Sequence, residues 1–184
     1  MKRRALLLTI ANVLVFQAGW LVCILFGSLW AGAFTLCALV LHFVFYTQRL
    51  KDTVAVLLAV VIGLVHDLLL LHTGSILFLE SVYLPPLWLM CLWVLLGLTL
   101  NHSLSWIYSR PLWSGLLGAI AAPMSYMAGV KLSSAEWSSP ILEVVPIIAA
   151  LWLVILPLHR LISLRVLTYV QHKTAKLPAP YSDC

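Results

Sequence analysis

The chain has 184 residues, 63% of them apolar and only 9% charged, with a mean hydropathy of +1.06. A soluble domain carries about a quarter charged residues, so a water-facing shell cannot be built here and lipid is the expected solvent for most of the surface. The net charge of +5 is too thinly spread for a nucleic-acid face, and the length leaves room for one domain.

Met1-Lys2-Arg3-Arg4 opens on an apolar run that reaches Phe26 without a small-x-small cleavage site. That reads as an uncleaved first span rather than a signal peptide. Ala5 to Gln48 contains no charged residue and is too long for one crossing at about 1.5 Å per residue. It divides best at Gly27-Ser28-Leu29-Trp30-Ala31-Gly32, where two glycines permit a tight turn beside an interface-seeking tryptophan. Helices are thus predicted near 5–26 and 31–48, ended by Arg49-Leu50-Lys51-Asp52. A third runs over 53–72 and stops before Thr73-Gly74. A semi-polar stretch containing Glu80 leads to Pro85-Pro86, where a first helical turn tolerates the missing N–H. A fourth helix then spans 86–108, a fifth 112–130 and a sixth 141–158. Residues 159–176 interleave apolar positions with Arg160, Arg165, His172 and Lys173. They either extend helix six or lie on the membrane surface as an amphipathic helix. Residues 177–184 read as a loose tail. The predicted fold class is all-α, an integral membrane bundle of six transmembrane helices.

This division puts Lys2, Arg3, Arg4, Arg49, Lys51, Arg110, Arg160, Arg165, Lys173 and Lys176 on the side of the N-terminus, and only Lys131 opposite. Positive charge stays on the cytoplasmic side, so both ends are predicted inside a bacterial inner membrane. Cys23, Cys37, Cys91 and Cys184 form no CxxC, and three lie in apolar runs, which argues against disulfides and zinc sites.

Polar groups at membrane depth are costly, about 2.5–3.5 kcal/mol for a central aspartate, and so mark candidate sites. Asp67 stands about five residues from the outer end of helix three, and Tyr126 of helix five is predicted at similar depth. A ligand pocket is therefore predicted from Asp67, Ser125 and Tyr126, with Glu80 or Trp88 at its mouth. The alternative role for Asp67 is to partner a hydroxyl or amide on a neighbouring helix. His66 is adjacent in sequence but about 100° around the helix, so it and Asp67 are not expected to face one ligand. His42 and His102 have no spaced partner, and no H-x₃-H or E-x-x-H occurs, so no metal and no cofactor are predicted. Asn12, Gln17, Asn101 and Ser105 are expected to join helices, with Asn101, Ser105 and Gly97 on one stripe. On helix five Gly118, Ala122, Tyr126 and Gly129 suit close backbone approach. No nucleophile elbow, phosphate loop or zinc-protease motif is present.

Phe16-Gln17-Ala18-Gly19-Trp20, Gly63 to Gly74, Pro86-Leu87-Trp88-Leu89, Leu100 to Trp106 and Pro123 to Gly129 together resemble an uncharacterised family of small proteobacterial inner-membrane proteins. The resemblance covers nearly the whole chain and implies topology and bacterial origin, but no chemistry. Gly63-Leu64-Val65-His66-Asp67-Leu68-Leu69 with Gly74 is similar to a helix segment of the rod-shape-determining protein of the MreD type. That family shares a fold with the six-helix substrate-binding subunits of energy-coupling-factor vitamin transporters. Three functions stay open: a non-enzymatic module holding a small hydrophobic or amphiphilic ligand or a membrane partner; an enzyme modifying a lipid, fatty acid or isoprenoid; and a membrane scaffold.

Overall fold

The computed structural model describes residues 2–80 and 83–175; Cys184 and the predicted 177–184 tail lie outside them. Six helices and one two-stranded sheet follow in order: α1 (Lys2–Phe45), α2 (Arg49–His72), β1 (Ile76–Phe78), α3 (Leu87–Leu100), α4 (Ser105–Tyr108), α5 (Pro111–Leu132), β2 (Ala135–Trp137) and α6 (Ile141–Ala175). Four of them, α1, α2, α5 and α6, are long and apolar enough to cross a membrane. Their outer faces carry large apolar side chains in the open, among them Leu29, Leu112 and Leu142. Water would penalise such a surface heavily; hydrocarbon does not.

α1 breaks at Gly27, whose φ of +73° and ψ of −175° lie outside any helix. That region is closed to residues with a Cβ, so the long uncharged run turns where glycine allows it. The two halves fold back on each other. Tyr46 donates its hydroxyl to the Leu8 carbonyl at 2.5 Å, and the Phe34 ring abuts Gly19. Two residues past the end of α2 stands Gly74, with φ of +67°. Gly74 N–H donates to Leu71 and Ser75 N–H to Leu70, the paired C-terminal bonds of a left-handed cap.

α3 is the core helix. It is apolar on every side, as a helix wrapped by others must be, and it packs against both α1 and α2. The expected helix over 86–108 does not run through. α3 stops at Leu100 after 14 residues, about 21 Å, and a turn at Asn101 to Leu104 precedes the short α4. Asn101 and Ser105 therefore share no helix face. Two contacts hold the break: Asn101 turns its amide to Asp52 of α2 at 3.1 Å, and Ser105 caps the turn through the His102 carbonyl at 2.7 Å.

Close backbone approach is built from small residues. A Cβ on Gly97 would fall 2.7 Å from the Val56 Cα, and one on Gly118 would fall 2.9 Å from the Trp152 carbonyl oxygen. α2 and α3, and α5 and α6, therefore touch along their backbones. α6 runs unbroken to Ala175 despite Pro146 and Pro157, so 159–175 continues that helix. At the Gly27 end, β1 and β2 pair antiparallel with Ile76 opposite Trp137 and Phe78 opposite Ala135.

Because Gly27 has nothing within 4 Å of an added Cβ, Gly27→Ala isolates backbone strain. It is expected to cost about 1–3 kcal/mol and to lower the thermal midpoint in detergent. Gly32→Ala, where the nearest atom would be 3.8 Å away, should leave the midpoint unchanged or raise it. Equal midpoints for the two variants would remove Gly27 as the determinant of the turn.

Candidate functional site

A cavity of about 270 Å³ lies in the Gly27 half of the bundle. α1 supplies Phe16 and Trp20 to its wall, α3 supplies Trp88 and Trp93, and α5 supplies Ser125 and Tyr126. Trp152 of α6 closes one side, and Ile76, Phe78 and Ala135 of the strand pair contribute at one end. Small residues of α5, Gly118 and Ala122, leave the space that the aromatic rings enclose.

The predicted members part company here. Ser125, Tyr126 and Trp88 line the cavity, but Asp67 is not on its wall. It stands behind Trp93 and Tyr126 and is buried. Trp93 Nε1–H donates to Asp67 Oδ2 at 2.7 Å, and the Tyr126 hydroxyl donates to Asp67 Oδ1. His66 also differs from expectation. Its Nδ1 lies 2.8 Å from Asp67 Oδ1 and 3.2 Å from the Tyr126 hydroxyl. Cα positions 100° apart do not separate side chains that bend toward a common partner, and the burial of both residues favours that bend. The carboxylate thus ties α2, α3 and α5 together, in the partner role rather than as a wall of the pocket.

Glu80 is exposed and lies outside the cavity. Its carboxylate accepts from Ser28 Oγ at 3.2 Å and Ser134 Oγ at 3.3 Å, clipping the Gly27 turn to the loop before β2. Ser125 accepts from Trp20 Nε1–H at 2.9 Å, a bond from α1 to α5. Asn12 does join helices: its amide donates to the Leu98 carbonyl at 3.1 Å and its Oδ1 accepts from Ser103 Oγ at 2.6 Å. Gln17 is exposed and takes no part in these contacts.

Sequence reasoning missed Trp93 and Trp152, which face each other in a stack with centroids 5.0 Å apart. Their depth was the available signal, because tryptophan away from the interface needs a partner for its N–H. Trp93 has one. Trp152 Nε1 and His66 Nε2 are buried without a hydrogen-bond partner among the described residues. A buried N–H left unpaired costs about 1–3 kcal/mol, a cost that the Trp152 indole bears in this packing.

The chain belongs to the family described as "Protein of unknown function (DUF2878)", whose model matches residues 9–158. This agrees with a resemblance to an uncharacterised family spanning most of the chain; the likeness to the MreD type has no counterpart in it. No curated protein and no solved structure matches the chain at a significant level.

Tyr126→Phe and Trp93→Phe each remove one donor from a buried carboxylate. Hydrogen bonds between membrane helices average about 0.6 kcal/mol and reach about 1.7, and those to a charge lie at the upper end. Each variant should therefore lose about 1–2 kcal/mol of unfolding free energy in detergent titrations. In a double-mutant cycle, each should lose much less in an Asp67→Leu background. Losses that are unchanged there would show that the donors act elsewhere.

Proposed function

We propose that this DUF2878 member is a multi-pass protein of a bacterial inner membrane that holds a small hydrophobic or amphiphilic molecule in the cavity beneath the strand pair. The observation that carries the reading is the wall itself: aromatic rings and small residues around about 270 Å³. Drug-sized sites span roughly 300–1,000 Å³, so the space suits a single ring or one prenyl or acyl segment better than a whole lipid. A ligand with a largely apolar body matches the rings of this wall.

An enzymatic reading is less well supported. Tyr126 is the one ionisable side chain on the cavity wall among the described residues, and its hydroxyl is engaged by Asp67. The scaffold reading would want a flat face without a cavity. The two halves of α1, then α2, α3 with α4, α5 and α6 supply six crossings in this proposal. The lysine and arginine bias supports cytoplasmic ends for both termini.

Native mass spectrometry of the full chain, extracted from its own membranes, tests the ligand. One copurifying amphiphile per chain is expected. Ala122→Trp, which fills the cavity from a buried small position, should lose that mass while eluting as the wild type does. A wild-type chain that carries no bound molecule, and whose tryptophan fluorescence is not quenched by excess brominated fatty acid, would overturn the proposal. For topology, alkaline phosphatase fused after Trp30 should be active and β-galactosidase at the same point inactive; the reverse pattern defeats the six-crossing arrangement.

A further inference from the structure

We propose that His42, Asp52 and His102 form a binding site for a divalent transition-metal ion of the zinc type, at the end of the bundle opposite Gly27. The three residues come from the last turn of α1, the first turn of α2 and the turn after α3. His42 Nε2 lies 3.1 Å and His102 Nε2 2.9 Å from the same oxygen, Asp52 Oδ2. All three donor atoms fall within 4.8 Å of one another.

Geometry comes first. Zinc bonded at about 2.0–2.2 Å to nitrogen and oxygen in a tetrahedral array sets its ligand atoms about 3.3 Å apart. To admit an ion, the N–O separations need to widen by a few tenths of an ångström, and the two imidazole nitrogens, within 4.8 Å of each other, settle to a similar spacing. Charge points the same way. Asp52 is 1% exposed, and its nearest partners are two imidazoles and an amide, none of which is obligatorily cationic. A carboxylate so placed calls for compensating positive charge. A divalent ion supplies it, and both imidazoles can bind it as neutral ligands.

The surroundings hold these groups in register, as second-layer contacts do in metal sites. Asn101 Nδ2 donates to Asp52 Oδ1 at 3.1 Å, leaving Oδ2 toward the imidazoles. Tyr46 stacks on His42 with centroids 4.3 Å apart and tilts against His102 at 4.4 Å, and its own hydroxyl is anchored on the Leu8 carbonyl. Two imidazoles and one carboxylate form a borderline donor set that suits zinc and its first-row neighbours better than magnesium or calcium. Three protein ligands also leave a fourth position free. His42 and Tyr46 line a second cavity of about 200 Å³, from which water or another small ligand could complete the shell.

The test uses the full chain in detergent, with any affinity tag removed and metals stripped by a chelator. Zinc is titrated in competition with a chromophoric indicator, and cobalt(II) is followed by its visible absorption. One equivalent of zinc per chain is expected, with the intense bands of four-coordinate cobalt and a raised thermal midpoint. Asn101→Ala should weaken binding by about 10–100-fold, as loss of a second-layer partner does, and His102→Gln by more. His72→Ala, an exposed histidine at the far end of α2, should bind as the wild type does. Weak or non-stoichiometric uptake by the wild type overturns the proposal, and that result decides even if His102→Gln fails to fold. So does full zinc affinity in folded His102→Gln, or loss of uptake in His72→Ala.

Discussion

Two buried carboxylates on one helix organise this bundle. α2 carries Asp52 in its first turn and Asp67 fifteen residues later, about 22 Å along the axis, and each gathers donors from other elements. Asp52 takes contacts from the end of α1 and the turn after α3. Asp67 takes them from α3 and α5. α1, α3 and α5 are thereby each pinned to a carboxyl group on α2.

The magnitudes explain why Asp67 has several donors. A central aspartate costs about 2.5–3.5 kcal/mol on insertion, whereas one interhelical hydrogen bond returns about 0.6–1.7 kcal/mol. A single donor leaves a deficit; three donors roughly close it. Asp67 has Trp93, Tyr126 and the imidazole of His66. The spread of these partners over α2, α3 and α5 follows from the arithmetic, since one helix cannot present three donors to a residue on its own face.

Residue patterns made the Gly27 turn legible, because an uncharged run longer than a bilayer must reverse and glycine is the residue that permits it. The depth match of Asp67 with Tyr126 was legible too, from counting along two helices. What the sequence could not carry was which side of a wall Asp67 stands on. That depends on Trp93, which reaches in over Gly63, where a Cβ would collide with the indole. The break at Asn101 was equally hidden, since no proline or glycine marks it and the cause is a contact with Asp52, 49 positions away. His42 and His102 were read as unrelated for the same reason: spacing rules find ligands on one segment, and these meet only after three segments converge.

For the ligand proposed above, the strand pair and the Trp20–Ser125 bond would together set the route into the cavity. From the side of β1 and β2, a molecule must part an antiparallel ladder that also carries Ile76, Phe78 and Ala135 of the wall. From the flank, it meets the seam between α1 and α5, where Trp20 and Ser125 share one hydrogen bond and Ala121 is small and exposed. Arrival along the flank breaks less structure. In a bilayer that flank opens onto acyl chains, so solubility in lipid, more than size or charge, would select what enters.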